Sequence, residues 1–280
     1  MILVTTPGKV GAEAARLLAG RGEAVRILAR HPEKVMALKQ AGVDVVEGDL
    51  DIPATIDAAM KGVTSVVLVS PAVPSHELHV VGSAVRAGVD HVVKVTSKAS
   101  ADSPIARQRG QAEIEAGLLA SGLNYTLLRN NFYMQNFLVL GPAIARTSGF
   151  GSAAGAGKAG FIDTRDVAAV AAEVAGSPSA HSGRSYLLTG PELLSYADVA
   201  EVLSKVLGRQ IAFSPRTRAE DTQAMVSAGV PEPIAAMNAH AVSLIAEGDA
   251  AWLSDDVPTV LGRPARTFEQ FATDHAGVFS

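Results

Sequence analysis

The sequence contains no cysteine, which removes disulfide scaffolds, thiolate nucleophiles and cysteine-ligated zinc or iron–sulfur centres from consideration. Aromatic residues are scarce: 8 Phe, 4 Tyr and 1 Trp in 280 residues give little material for the stacking platforms that bind single-stranded nucleic acid. Charge is sparse as well. Charged residues make up 19% of the chain and the net charge is −4, which disfavours a phosphate-backbone binder. No apolar run approaches the roughly 18 residues of a membrane-spanning helix; the best, 137–145, is short and holds Pro142. The opening MILVTTPGK reads straight into a strand and lacks the charged segment, apolar stretch and cleavage site of a secretory signal. His76, His79, His91, His181, His240 and His275 are scattered without metal-ligand spacing, so no metal is expected. What these absences leave is a soluble, cytoplasmic protein that binds neither nucleic acid nor membrane.

What is present is a core. At 48% hydrophobic, the chain can bury a large α/β domain or a domain plus a smaller lobe. Apolar runs at 2–4, 24–29, 44–47, 65–69, 91–95 and 125–128 alternate with helical patterns. The first helix carries Val10, Ala14, Leu17 and Leu18 on one face, and others are predicted over 32–41, 54–61, 77–87 and 112–121. Strands separated by helices of about ten residues imply right-handed βαβ units in a doubly wound parallel sheet. The second half differs. Residues 148–160 (SGFGSAAGAGKAG) read as a flexible loop rather than an element. Strands are predicted at 161–163 and 186–188 around a helix at 166–175. Ser195 with Asp198 has capping-box spacing before a helix that Gly208 ends. A helix near 234–247 and one opened by Thr267 with Gln270 follow.

The turn after the first strand, Thr5-Thr6-Pro7-Gly8-Lys9-Val10-Gly11, carries the first chemical signal. As a G-x-x-G-x-x-G phosphate turn it keeps Gly8 and Gly11 and has Thr5 in place of the first glycine. Gly8 would let a pyrophosphate approach the N–H groups of a helix N-terminus, and Gly11 would let that helix pack on the strand. A threonine at a position that favours positive φ crowds the turn. That predicts weak dinucleotide binding, improved by Thr5→Gly; a turn that binds nothing is the alternative. Arg30 falls about twenty residues further on, where NAD sites place an acid on the ribose 2′-hydroxyl. A guanidinium there, with Lys34 close behind, suits a 2′-phosphate and points to NADP in preference to NAD. Asp49 is placed to accept from an adenine amino group while Leu50 covers the ring. Val69-Ser70-Pro71-Ala72 and Thr96-Ser97-Lys98 end the fourth and fifth strands at the sheet's carboxyl edge, where a doubly wound fold takes its ligand.

Several stretches resemble the NmrA-like family, an atypical branch of the short-chain dehydrogenase/reductases. They are TSKAS at Thr96, ASGLNYTLLRNNFYMQNF from Ala120, FIDTRDVAAVAA from Phe161, YLLTGPELLSYADVAEVLSKVLGR from Tyr186 and GRPARTFEQFA from Gly262. LLRNNFYMQN is most similar to the family's NADPH-dependent quinone reductases, to which azo-dye and triphenylmethane-dye reductases are related. The resemblance implies a Rossmann-like dinucleotide-binding domain at 1–150, with return elements around 161–175, and a smaller substrate-side α/β lobe at 176–280. It maps the first-turn glycines to Gly8 and Gly11, and the dehydrogenase Tyr-x-x-x-Lys pair to Arg107 and Gln111. Gln111 stands where relatives place histidine or lysine.

Asn130, Asn131, Phe132, Tyr133 and Asn136 follow the sixth strand. Their amides suit the cofactor carboxamide, at Asn130, or an acceptor carbonyl. Phe132 or Tyr133 would wall a flat substrate, although an aromatic there serves equally as core. Gln111 and Tyr133 are the candidates for the chemistry, Tyr133 as a proton donor. With no Tyr or Lys to protonate an alkoxide, ketone–alcohol exchange is disfavoured, whereas a hydroquinone collects its proton from water. The expectation is an NAD(P)H-dependent reductase of a small quinone-like or planar aromatic acceptor. A non-catalytic NADP-binding sensor is the alternative, and monomer and homodimer both stay open. The pocket is expected between the sheet's carboxyl edge and the lobe, floored by Gln111, Asn131, Phe132 and Tyr133 and gated by 148–160.

Overall fold

The structure, a computed structural model, describes residues 1–71 and 73–280; Ala72, at the end of the fourth-strand motif, lies outside them. The first half alternates as predicted. It runs β1 (Ile2–Val4), α1 (Lys9–Gly20), β2 (Val25–Ala29), α2 (Met36–Gln40), β3 (Asp44–Glu47), α3 (Pro53–Ala59) and β4 (Ser65–Leu68). Then follow α4 (Pro74–Ala87), β5 (His91–Ser97), α5 (Ala106–Ala120) and β6 (Asn124–Asn130). After these come α6 (Gly141–Thr147), β7 (Gly149–Ser152), β8 (Lys158–Ala159), α7 (Thr164–Gly176), β9 (Arg184–Leu188) and β10 (Leu194–Ser195). The chain closes with α8 (Tyr196–Leu207), β11 (Ala212–Pro215), α9 (Arg218–Ser227), α10 (Glu232–Ala246), α11 (Asp256–Leu261), α12 (Phe268–Asp274) and α13 (Ala276–Phe279). Among the described residues no helix is long and apolar enough to cross a membrane.

Contacts divide the chain into two units, Met1–Asn130 with Thr164–Leu187, and Asn131–Asp163 with Leu188–Ser280. The first is the doubly wound Rossmann-like sheet. Its order is β3-β2-β1-β4-β5-β6-β9, with every neighbouring pair from β3 to β6 parallel. β4 and the first six residues of β5 are buried throughout, as expected of strands covered on both faces. Strands β5 and β6 outrun their apolar cores. They stay paired through Thr96↔Arg129 and Ser97↔Asn130, because the ladder is backbone and does not stop at the last hydrophobic residue. Helix α5 likewise starts at Ala106 rather than 112, which brings Arg107 and Gln111 onto one helix a turn apart. The segment predicted as a single helix over 32–41 is a 3₁₀ turn, Pro32–Val35, followed by α2.

His91 opens β5, 2% exposed, with its Nε2 2.9 Å from the Thr126 hydroxyl. Burial, aided by the nearby His181, holds its pKa below the ordinary 6.5. It is therefore neutral in the fold, and the unfolded chain takes up the proton first. Stability is accordingly expected to fall as pH drops below about 6.5, and His91→Gln should flatten that slope. Urea midpoints at pH 7.5 and 5.5 check this; parallel losses in parent and variant would remove His91 as the cause.

In the second unit, 148–160 is not the loop without regular elements expected from composition. β7 pairs in parallel with β11 from Gly149↔Ala212 to Ser152↔Pro215, and β8 pairs antiparallel with β10. The small residues answer to close packing. A Cβ on Gly157 would meet the Ile245 carbonyl oxygen at 1.9 Å, and one on Gly151 would meet Arg216 Nε at 2.3 Å. Of these glycines only Gly155 uses positive φ. The predicted strand at 161–163 is a single bridge, Tyr133↔Ile162. The capping boxes at Ser195/Asp198 and Thr267/Gln270 form as their spacing predicts. This unit's core is aromatic: Phe137 packs against Phe150, Phe161, Tyr196 and Phe268 at centroid distances of 5.0–6.3 Å.

Candidate dinucleotide-binding site

The order β2-β1-β4 places the topological switch between β1 and β4, so the crevice of the first unit opens at their carboxyl ends. Thr5, 1% exposed, closes the base of that crevice. Its N–H donates to Val67 O at 3.1 Å. Its hydroxyl donates to Val69 O at 2.7 Å and accepts from Val69 N at 2.9 Å. The Thr6 hydroxyl donates to the same carbonyl at 2.9 Å. The strained turn expected at Thr5 is absent, since Ser148 is the one non-glycine residue with positive φ among those described. The side chain extends the β1–β4 pairing by one step beyond Leu68. Thr5→Gly is therefore expected to lower stability by about 1–3 kcal/mol, because it strips a buried N–H of its partner. An unchanged urea midpoint would show that the bridge contributes nothing.

Gly8 and Gly11 differ in what requires them. A Cβ on Gly11 would sit 2.0 Å from the Thr6 carbonyl oxygen and 3.1 Å from Val4 and Val69, so the helix needs glycine there to reach the sheet. Gly8 is exposed, has φ −66°, and would place a Cβ in open space, its nearest neighbour 4.0 Å away. Nothing within the chain asks for glycine at position 8. It is the N-cap of α1 with no side-chain cap, so the first N–H groups of a 12-residue helix face outward beside Pro7 and Lys9.

Arg30 lies one residue past β2, exposed, and among the described residues neither its side chain nor that of Lys34 forms a hydrogen bond or ion pair. The nearest acid in sequence, Glu33, lies 3.4 Å from His31. Asp49 shapes its own turn: Oδ1 accepts from Asp51 N at 3.1 Å, and its N–H donates to the Thr55 hydroxyl. Leu50 is 6% exposed, packed into the core of this unit with Leu28 and Ile56.

The ends of β5 and β6 are cross-linked to each other and to α5 by polar side chains. Asn130 Nδ2 donates to Thr96 O at 2.6 Å. The Thr96 hydroxyl lies 3.0 Å from Gln111 Oε1 and 3.1 Å from Glu115 Oε1, and Glu115 pairs with Arg129 at 2.5 Å. Gln111 is 5% exposed, so its amide is engaged in this network. Ser97 is half-buried, Ser70 is half-buried and Pro71 exposed. Sequence reasoning missed Glu77 and Lys94, both fully buried and 2.8 Å apart. Burial pushes the Lys94 pKa down while Glu77 opposes it. The signal was available: a lysine inside HVVKVT, in a strand covered on both faces, must find a buried anion.

The remaining predicted residues belong to the second unit. Asn131 is buried and structural in its bonds: Nδ2 donates to Ala250 O at 3.0 Å, and Oδ1 accepts from Phe132 N at 2.8 Å. Phe132 is half-buried against the aromatic core. Tyr133 is half-buried at the start of the 3₁₀ turn Met134–Leu140, and Asn136 on that turn is exposed.

The NmrA-like family model matches residues 1–271. An NAD(P)H azoreductase of Xenophilus azovorans is 36% identical over 283 residues, covering 100% of this chain and 99% of the relative. A (4-alkanoyl-5-oxo-2,5-dihydrofuran-3-yl)methyl phosphate reductase of Streptomyces griseus is 35% identical over 286 residues, covering 100% and 99%. Among solved structures, an NADPH-dependent quinone oxidoreductase of Escherichia coli complexed with NADPH superposes with a TM-score of 0.90 at 28% identity, covering 99% of this chain and 100% of that one.

Proposed function

The chain belongs to the NmrA-like family, and from that membership we propose that it is an NADPH-dependent reductase of quinones and related planar, conjugated acceptors. The observation that carries this is whole-length similarity to an NAD(P)H azoreductase, joined to a crevice whose open positions match a dinucleotide. Gly8 is a glycine the chain itself does not need, and among the described residues the Arg30 side chain has no protein partner. When bound, NADPH supplies a hydride from its nicotinamide ring.

The chain's own part begins with binding. The uncapped N-terminus of α1 at Gly8, Lys9 and Val10 receives the pyrophosphate, over a turn held by Thr5, Thr6 and Pro7. Arg30 and Lys34 take the 2′-phosphate. Asp49 serves the adenine end, and Ser70, Pro71, Thr96, Ser97 and Asn130 the ends of β4, β5 and β6. Proton supply limits the chemistry. Arg107 and Gln111 occupy α5 one turn apart, and neither releases a proton near neutral pH. No acid there can protonate an alkoxide, which argues against ketone reduction. A quinone, an azo group and an unsaturated lactone share a different property. Each accepts hydride at a conjugated position, so the charge left behind is delocalised rather than held on a single alkoxide oxygen.

The test follows NADPH oxidation with 1,4-benzoquinone, an azo dye, a 2,5-dihydrofuran-5-one and a simple ketone. Consumption with one or more of the first three, and none with the ketone, is expected. NADPH binding with every acceptor untouched would favour a sensor over a reductase.

A further inference from the structure

Glu77 and Lys94 are 0% exposed and lie outside the residues assigned to the cofactor. Lys94 stands on β5 opposite Leu68 of β4, and Glu77 lies in the first half of α4, the helix covering that face. Lys94 Nζ donates to Glu77 Oε1 at 3.1 Å and to Val95 O at 2.6 Å, and forms an ion pair with Glu77 Oε2 at 2.8 Å. Glu77 Oε1 also accepts from the Ser70 hydroxyl at 2.7 Å. A fully buried ion pair is a poor source of net stability, because its desolvation offsets its attraction. Its presence is better explained by what it holds.

We propose that Glu77 and Lys94 are positioning residues for the cofactor, acting through Ser70. This rests on the reading of the crevice as an NADPH site. A hydroxyl has one proton, and a buried carboxylate is the strongest acceptor available to it. Glu77 therefore commits that proton, and toward a ligand Ser70 acts only as an acceptor, for an O–H or N–H such as a ribose hydroxyl offers. Lys94 holds Glu77 in place by its charge, both side chains being shut off from bulk solvent. The neighbouring residue is fixed from the other side, since Val69 is held by the hydroxyls of Thr5 and Thr6. Consecutive residues at the end of β4 are thus clamped independently, one from the β1 turn and one from α4 and β5.

The experiment is a double-mutant cycle on NADPH dissociation constants, measured by calorimetry alongside thermal unfolding. The variants are Ser70→Ala, the apolar replacement Glu77→Leu/Lys94→Met, and the triple combination. Ser70→Ala and the apolar pair are each expected to weaken NADPH about tenfold, the cost of one hydrogen bond. The triple variant is expected to be no weaker than Ser70→Ala alone, because the pair acts through that hydroxyl. Glu77→Gln/Lys94→Met, which returns an uncharged carbonyl acceptor to Ser70, should regain part of the loss. If the apolar pair does not fold, this Gln/Met pair replaces it in the cycle with a loss expected to be smaller than tenfold, and the deciding result is then whether adding it to Ser70→Ala weakens NADPH further. Wild-type affinity in the pair variant, or losses that multiply to about a hundredfold in the triple, would overturn the positioning role while leaving the cofactor assignment standing. No binding of NADPH by the wild type would overturn both.

Discussion

Lys94→Met is expected to remove about 3–5 kcal/mol of folding stability, while Lys94→Met/Glu77→Leu recovers most of it. The asymmetry follows from where the charges sit. Both side chains are 0% exposed, and the Lys94 ammonium lies 2.8 Å from Glu77 Oε2. Removing the lysine alone leaves a fully buried carboxylate between α4 and the sheet, with the Ser70 hydroxyl as a neutral companion. Removing both charges and keeping the volume leaves apolar side chains in an apolar layer that already holds Leu68 and Val80. The cost of the ion pair and the cost of breaking it are different quantities, and only the second is large. Urea denaturation of the two variants measures it. Equal losses would trace the effect to packing around Lys94 rather than to the stranded anion.

How far the sequence could be read depended on which force set each feature. The strands and helices of the first unit were legible because burial imposes a periodic pattern: β1, β3 and β4 lie where their apolar runs predict. The carboxyl ends were harder. Thr96, Ser97, Arg129 and Asn130 continue their strands through backbone pairing that side-chain hydropathy does not report. Residues 148–160 misled for a related reason. Glycine and alanine signal flexibility when nothing packs on them and close approach when a carbonyl does, and Gly157 with Ile245 is the second case. At the crevice, the glycine pattern located Gly8 and Gly11 but misjudged Thr5, because a local motif carries no information about Val69, 64 residues away. Glu77 and Lys94 went unread for the same reason: their meaning lies in a contact across 17 residues that neither helix nor strand periodicity encodes.

Arg30→Ala is expected to weaken NADPH about ten- to a hundredfold and to leave NADH almost unchanged. β2 pairs with β1 through Val4↔Ile27, so the residue just past Ala29 emerges at the same carboxyl edge as the Gly8 turn. Among the described residues nothing engages the guanidinium, and no carboxylate competes for it. A hydrogen bond to a charged group contributes roughly 1.5–3 kcal/mol, which sets the range. Because Arg30 is exposed, solvent screening favours the lower end. The same exposure provides a second signature: raising ionic strength should weaken NADPH in the wild type more than in Arg30→Ala, since part of the attraction has been removed from the variant. Lys34→Ala should show the same preference at smaller amplitude, because an ammonium on a flexible stem lacks the paired donors of a guanidinium. Calorimetric titration with both cofactors at low and high salt separates the contributions. Equal losses for NADPH and NADH would mean that Arg30 touches a part of the dinucleotide common to both, and the 2′-phosphate would then need another partner.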